Sequence, residues 1–369
     1  MKPKALFFEG GDSVGKNDLV RGVIKHVLLA SPKQKILFMN FPQYWFFGHD
    51  VRLMLRGACD EILEGNSGVE NAFLRSALFG MDRDIALLLA EPYLSKNPDL
   101  FVLSDRGPFS SCVTMGYLWA NGFITKEQLE KEIMPNMFDE ADYGLLNYFD
   151  HTSLVCTIEG GFANTGLANR KALDKNEAEL PQIHGYMVYE MTKLPQIVTK
   201  TVGGWRDRLE LTSEALEKAG YAEIAATKID KKVFEDDSII IEAEKDGRLI
   251  VIGPETLLRH FGYWSKVDAK MKKWIARWTE LSLLPFEGSS KDRKLILDDL
   301  ETKIALGIKR LTNQFSYLTT PRAPQSRYAI SMLLQRHPVI LDILKHTSGK
   351  RMTTFFHGIL APEQLKLVE

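Results

Sequence analysis

The stretch Gly10-Gly11-Asp12-Ser13-Val14-Gly15-Lys16-Asn17 has the residue types of a phosphate cradle. Glycines let backbone N–H groups converge on phosphate oxygens without interference from Cβ atoms. The turn leads straight into a helical pattern, and a helix N-terminus adds partial positive charge where an anion would lie. Lys16 is long enough to reach the β- and γ-phosphates of a nucleoside triphosphate and to neutralise charge spread over them. A Ser or Thr at position 17 would offer Mg²⁺ a hydroxyl. The residue there is Asn17, whose amide oxygen is also a hard donor but sits on a longer side chain. Gly10 through Asn17 are therefore the candidate triphosphate-binding residues, with Asn17 a candidate metal ligand.

Such a loop has its chemical meaning only between a strand and a helix, and the flanking pattern supplies both. Ala5 to Glu9 reads as a buried parallel strand, and from Lys16 onward Leu19, Val20, Val23, Val27 and Leu28 fall on one helical face. Further strand-like runs are Ile36 to Phe41, Leu100 to Ser104 leading into Asp105, Ser153 to Ile158, and Ala222 to Thr227. Helical patterns lie between them, one around Val51, Leu53, Met54 and Leu55 and a long one from Val69 to Leu89. This alternation predicts right-handed βαβ units and a parallel sheet with helices on both faces. Near residue 235 the texture changes. Ser238 to Glu244 and Arg248 to Ile252 read as a hairpin about Lys245-Asp246-Gly247. Helices are expected after it, over 254–262, 265–284, 290–317 and 325–346. The expected organisation is an α/β domain over 1–235 and a smaller, mostly helical domain with a β-hairpin over 236–369.

Composition narrows the partners. Hydrophobic residues are 45% and charged residues 26% of the 369, ordinary for a folded chain. A formal net charge of -1 gives no global field to recruit nucleic acid or an anionic membrane. Cys59, Cys112 and Cys156 lie far apart with no Cys-x-x-Cys pair, which argues against a disulfide framework or zinc site and suits the cytoplasm. The first apolar run is too short for a signal peptide, and no stretch is long enough to span a bilayer.

Five segments, taken in order over about residues 5–235, resemble the thymidylate kinase family. They are Phe8-Glu9-Gly10-x-Asp12-x-x-Gly15-Lys16, Phe41-Pro42 followed by Gly48 and Arg52, Leu78-Phe79-x-x-Asp82-Arg83, Asp105-Arg106-x-x-x-Ser110, and Arg170-x-x-x-Asp174-Lys175-x-Glu177. The resemblance implies a P-loop NTPase-type fold and transfer of the ATP γ-phosphoryl group to dTMP, giving dTDP, with Mg²⁺ as cofactor. It implies Lys16, Asp105, Arg106 and Arg170 as the catalytic set. Asp12, Phe41, Arg52, Phe79, Arg83, Arg106 and Ser110 would surround the acceptor, and Asp105 would join Asn17 at the metal. Arg170, Asp174, Lys175 and Glu177 would form a lid, whose arginine supplies the cation that Ser13 in the loop does not. The residue types suit these roles. Phe79 and Arg83, one helical turn apart, can stack on a base and donate to its carbonyl, and the guanidinium groups of Arg52 and Arg106 can fork onto a phosphate.

Two departures leave alternatives open. Thr114 and Met115 stand where the family has a Tyr-Gln pair near the base, which leaves room for another deoxynucleotide or a deoxynucleoside as acceptor. Asn17 leaves room for a catalytically weak ATP-binding module whose helical tail binds a partner. In that tail Trp264, Trp274, Ile275 and Trp278 read as core at helical spacing, and Lys266, Lys270, Lys272, Lys273 and Arg277 as a solvated basic face. These helices could pack on the first domain, pair two copies as a homodimer, or bind another protein.

Overall fold

The computed structural model describes residues 2–11, 14–43, 45, 79, 82–83, 86–110, 119, 122, 124–133, 148–158, 189–199, 205–284 and 290–311. Six strands build one sheet, all parallel: β1 (Lys4–Glu9), β2 (Ile36–Asn40), β3 (Phe101–Asp105), β4 (Asp150–Ile158), β5 (Gln196–Thr199) and β6 (Leu249–Val251). Their order is β5-β4-β1-β3-β2-β6. In register, Phe8 of β1 lies opposite Asp105 of β3, and Glu9 opposite Val155 of β4. From β1 the chain moves to one side for β2 and β3, then crosses to the other for β4 and β5. The carboxyl end of β1 is thus where strand order reverses, the place where open α/β sheets hold ligands.

Alternation along each strand divides two cores. Ala5, Phe7, Leu37, Met39 and Val102 face one layer, while Leu6, Phe8, Ile36, Phe38 and Leu103 face the other. The second layer is covered by α1 (Lys16–Ala30), α3 (Trp205–Lys218) and α4 (Ser238–Lys245). The first is covered by α2 (86–94), α5 (Pro254–His260), α6 (Ala269–Leu283) and α7 (Ser290–Leu311). Among the described residues no helix is long and apolar enough to cross a membrane.

The strands expected near residues 5, 36, 100 and 153 are present, but two other assignments are corrected. Ser238 to Glu244 is helical, not the first arm of a hairpin. Its isoleucine run favours a strand by propensity, yet Ile240 and Ala243, three apart, are the residues buried against α1 while Ile241 stays exposed. That spacing is met only by a helix. Gly247 ends it at φ 76, and the following β6 pairs with β2 in the same sheet as the N-terminal strands. Ala222 to Thr227 is not a strand either: Ala222–Ala225 is a short helix whose Ile224 carbonyl lies 2.9 Å from His26 Nε2. The fifth strand is Gln196–Thr199, a short edge strand with Ile197 and Thr199 buried and Val198 exposed. The segments expected as helices over 51–55 and 325–346 lie outside the described residues. Of the tryptophans, Trp278 is buried, donates to Glu301 at 3.1 Å and meets Trp45 edge-on at 6.0 Å. Trp264 and Trp274 are half-buried, with Arg259 4.9 Å from the first ring and Lys270 5.2 Å from the second.

α1 and α3 come close together at Gly22, where an added Cβ would sit 2.3 Å from Thr212 Oγ1. We predict that Gly22→Ala destabilises the protein by about 1–3 kcal/mol through overpacking. In a Thr212→Ala background the clash is gone, and the same substitution stabilises by up to about 1 kcal/mol through helix propensity. Denaturant unfolding of the four proteins of this cycle measures the change of sign.

Candidate functional site

The glycine turn after β1 is shaped by its neighbours. Gly10 has φ 126, and a Cβ there would fall 2.4 Å from the Cys156 carbonyl oxygen in β4, so no other residue fits. Gly15, at φ 84 and ψ 10, is the N-cap of α1 and turns the chain into the helix. Lys16 begins that helix and is only 5% exposed. Its Nζ donates to the Gly10 carbonyl at 3.1 Å and to the Gly11 carbonyl. On the far side of the turn the Thr199 hydroxyl, at the end of β5, reaches the carbonyls of Val14 and, at 2.6 Å, Thr157. Burial pushes the Cys156 thiol up to about 12, so beneath the loop it is a neutral packing group. Asp12 and Ser13 lie outside the described residues.

The second wall comes from β3. Its last residue, Asp105, is followed by Arg106 in the left-handed region at φ 67. The Arg106 N–H donates to the Phe8 carbonyl at 2.7 Å, and Nη1 to the Gly10 carbonyl at 3.2 Å. Lys16 and Arg106 thus converge on one carbonyl oxygen. Glu9, the last residue of β1 and wholly buried, reaches under this turn. One of its oxygens accepts the Phe109 N–H at 3.1 Å and the other accepts the Ser110 hydroxyl at 2.6 Å. Burial raises the Glu9 carboxyl to about 7, against lowering by the Ser110 bond and by the charges of Arg106, Arg83 and Lys16.

Of the residues expected around the acceptor, Arg83 is 3% exposed and close enough to act on Glu9. Its neighbour Asp82, fully buried, accepts the Gln43 N–H at 2.6 Å and so ties the end of β2 to this helical segment. Phe41 is buried and Phe79 half-buried, both against the core on the α2 side. Arg52 and the expected lid residues Arg170, Asp174, Lys175 and Glu177 lie outside the described residues, as do Thr114 and Met115. Asn17 is exposed on the first turn of α1, and Asp105 is buried at the end of β3. Among the described residues no cluster of three or more His, Cys, Asp or Glu side chains forms a metal cage.

The structure therefore brings together Lys16, Arg83, Asp105, Arg106 and Ser110 at one sheet edge and adds Glu9, Thr199 and the Cys156 carbonyl. Glu9 stands in the sequence motif without a role of its own, although a carboxylate ending an apolar strand is a visible signal. Thr199 and Cys156 carried none, because their nearness to the loop depends on strand order.

No protein-family model matches the chain. A patatin-like phospholipase domain-containing protein of Caenorhabditis elegans is 25% identical to it over 146 residues, 37% of this chain and 10% of that protein. The chain thus spans about a tenth of the length of the curated relative it matches. This match corrects the expected activity. The match is to a phospholipase-domain protein and not to a kinase, so the assignment as a dTMP kinase, and with it kinase action on another deoxynucleotide or deoxynucleoside, is withdrawn.

Glu9 yields a prediction about stability. Its folded-state value of about 7 lies above the ordinary 4.5, so the folded chain holds this proton more tightly than the unfolded chain does. The resulting stabilisation is complete below pH 4.5 and is lost as pH rises to about 7. Glu9→Gln should remove a decline on the order of 3 kcal/mol across this window. Urea unfolding at several pH values compares the two slopes, and parallel slopes would refute the assignment.

Proposed function

We propose that the carboxyl edge of this sheet, in a P-loop-type arrangement, binds a nucleoside triphosphate by its phosphates, together with Mg²⁺. The observation that carries the proposal is the convergence of Lys16 Nζ and Arg106 Nη1 on the Gly10 carbonyl, at a glycine turn that opens α1. A phosphate oxygen is a stronger acceptor for two cations than a neutral carbonyl, and the start of α1 favours the same charge. The Asp105 carboxylate and the Asn17 amide oxygen are hard donors of the kind Mg²⁺ takes, and the ion would offset charge on the phosphate chain. The proposal concerns binding and carries no phosphoryl transfer.

A second reading is supported by the same segment. Gly11-x-Ser13-x-Gly15 has the spacing of a nucleophile elbow, and it stands between β1 and α1, the strand-to-helix context such an elbow needs. With the phospholipase-domain relative, this favours ester hydrolysis with Ser13 as nucleophile. A serine needs a base. Among the described residues His26 lies against Ile224, His151 opposite Ala5 at the amino end of β1, and His260 against Phe261 at the end of α5, so none of these contacts is with the turn.

Titration with ATP, with and without Mg²⁺, tests the first reading. Wild type should bind, and Lys16→Ala should weaken binding by about 10- to 100-fold, the loss of a charge-assisted contact. Equal affinity in the two proteins would overturn it. Labelling with a fluorophosphonate tests the second: the label should enter at Ser13 and be lost in Ser13→Ala, and an unlabelled wild type would eliminate the elbow.

A further inference from the structure

We propose that Glu9 is a positioning residue for phosphate binding: its buried carboxylate fastens the 106–110 turn so that the Arg106 guanidinium meets Lys16 over the Gly10 carbonyl. The inference rests on the phosphate-binding reading above. Arg106 does not adopt its backbone conformation by preference, because a left-handed residue other than glycine costs roughly 1–2 kcal/mol. The surroundings impose it. The Arg106 N–H is held by the Phe8 carbonyl at 2.7 Å, and the Arg106 carbonyl accepts the Ser104 hydroxyl at 2.6 Å. The far end of the turn is held by Glu9, through the Phe109 N–H and the Ser110 hydroxyl, together with the Ser110 N–H, which donates to the Gly107 carbonyl at 3.2 Å.

Two further observations show that the space is built for this carboxylate. A Cβ at Gly107 would lie 3.0 Å from Glu9 Oε1 and 3.0 Å from Phe7 Cγ, so the glycine leaves the carboxylate its place. Glu9 is also fully buried, where a carboxylate is costly unless its oxygens are used. An apolar side chain would fill the same volume but leave the Phe109 N–H and the Ser110 hydroxyl without that acceptor. Because Glu9 directly precedes Gly10, the residue that launches the phosphate loop is also the one that anchors the opposite wall. Any shift between the walls would separate the two cations.

A double-mutant cycle on the full chain, with ATP as probe, tests this. Arg106→Ala and Glu9→Ala should each weaken binding by about tenfold. If Glu9 acts through Arg106, the double variant should be no weaker than Arg106→Ala by more than about twofold. Glu9→Gln, whose amide oxygen can accept from Phe109 and whose NH₂ can reach Ser110, should restore most of the affinity lost in Glu9→Ala. Should Glu9→Ala fail to fold, Ser110→Ala takes its place in the cycle. Additive losses, or a Glu9→Gln protein as weak as Glu9→Ala, would overturn the positioning role. A wild type that does not bind ATP would instead overturn the binding reading, and this inference with it.

Discussion

The close approach of Gly10 to the Cys156 carbonyl is the contact on which the rest of the site depends. A backbone can pass another at that distance only without a Cβ. The approach lets the chain leave β1 with φ 126, turn over the end of β4 and enter α1 through Gly15. The turn in turn presents the Gly10 and Gly11 carbonyls to Lys16. Without it the lysine would extend from the helix with no fixed place relative to β3. With it, a side chain from α1 and one from the end of β3 meet over a single atom.

Charge balance explains how so many ionisable groups share one buried edge. Lys16, Arg83 and Arg106 act on Glu9, and Asp82 and Asp105 are buried nearby. Burying carboxylates and cations separately would be prohibitive, whereas interleaved and hydrogen-bonded they offset one another's desolvation. Glu9 shows which effect is larger: desolvation still raises its carboxyl to about 7 in spite of three cations and the Ser110 hydroxyl. Near neutrality the edge is therefore poised between two protonation states, and a single added anion alters the balance of the whole group.

What the sequence made legible were the features set by neighbours along the chain. The apolar run of β1, the glycine turn and the face of α1 are local, and so is the Asp105-Arg106 pair at the end of β3. What it hid depends on which strands lie side by side. Thr199 becomes part of the loop only because β5 adjoins β4, and nothing within Gln196–Thr199 announces it. Ser238 to Glu244 reads as a strand because three consecutive isoleucines favour one in isolation, while the residues buried beside α1 are Ile240 and Ala243, three apart. β6 is legible as a strand, but its partner is not the hairpin arm that the turn residues suggest. It pairs in parallel with β2, with Leu249 opposite Ile36, which no turn sequence can signal.

The region beyond residue 235 bears on the site through the sheet. β6 extends it past β2, and Gly253 leaves room for Trp278, since a Cβ there would lie 2.7 Å from the indole. Trp278 meets Trp45, just past the end of β2. α7 also carries Arg293, half-buried, whose guanidinium donates to the Leu281 carbonyl at 2.5 Å. Its proton is held less tightly than usual because of burial and the charge of Arg21, against the pull of Asp18 and Asp105. The C-terminal helices thus place a further positive charge within electrostatic range of α1 and of the carboxyl end of β3. A strand-turn-helix with a serine at its centre can serve a phosphate or a nucleophile equally well as backbone. The side chains around it bear differently on the two: a nucleophile needs one base directed at the serine, whereas Lys16, Arg106 and Arg83 are cations gathered about the Glu9 carboxyl.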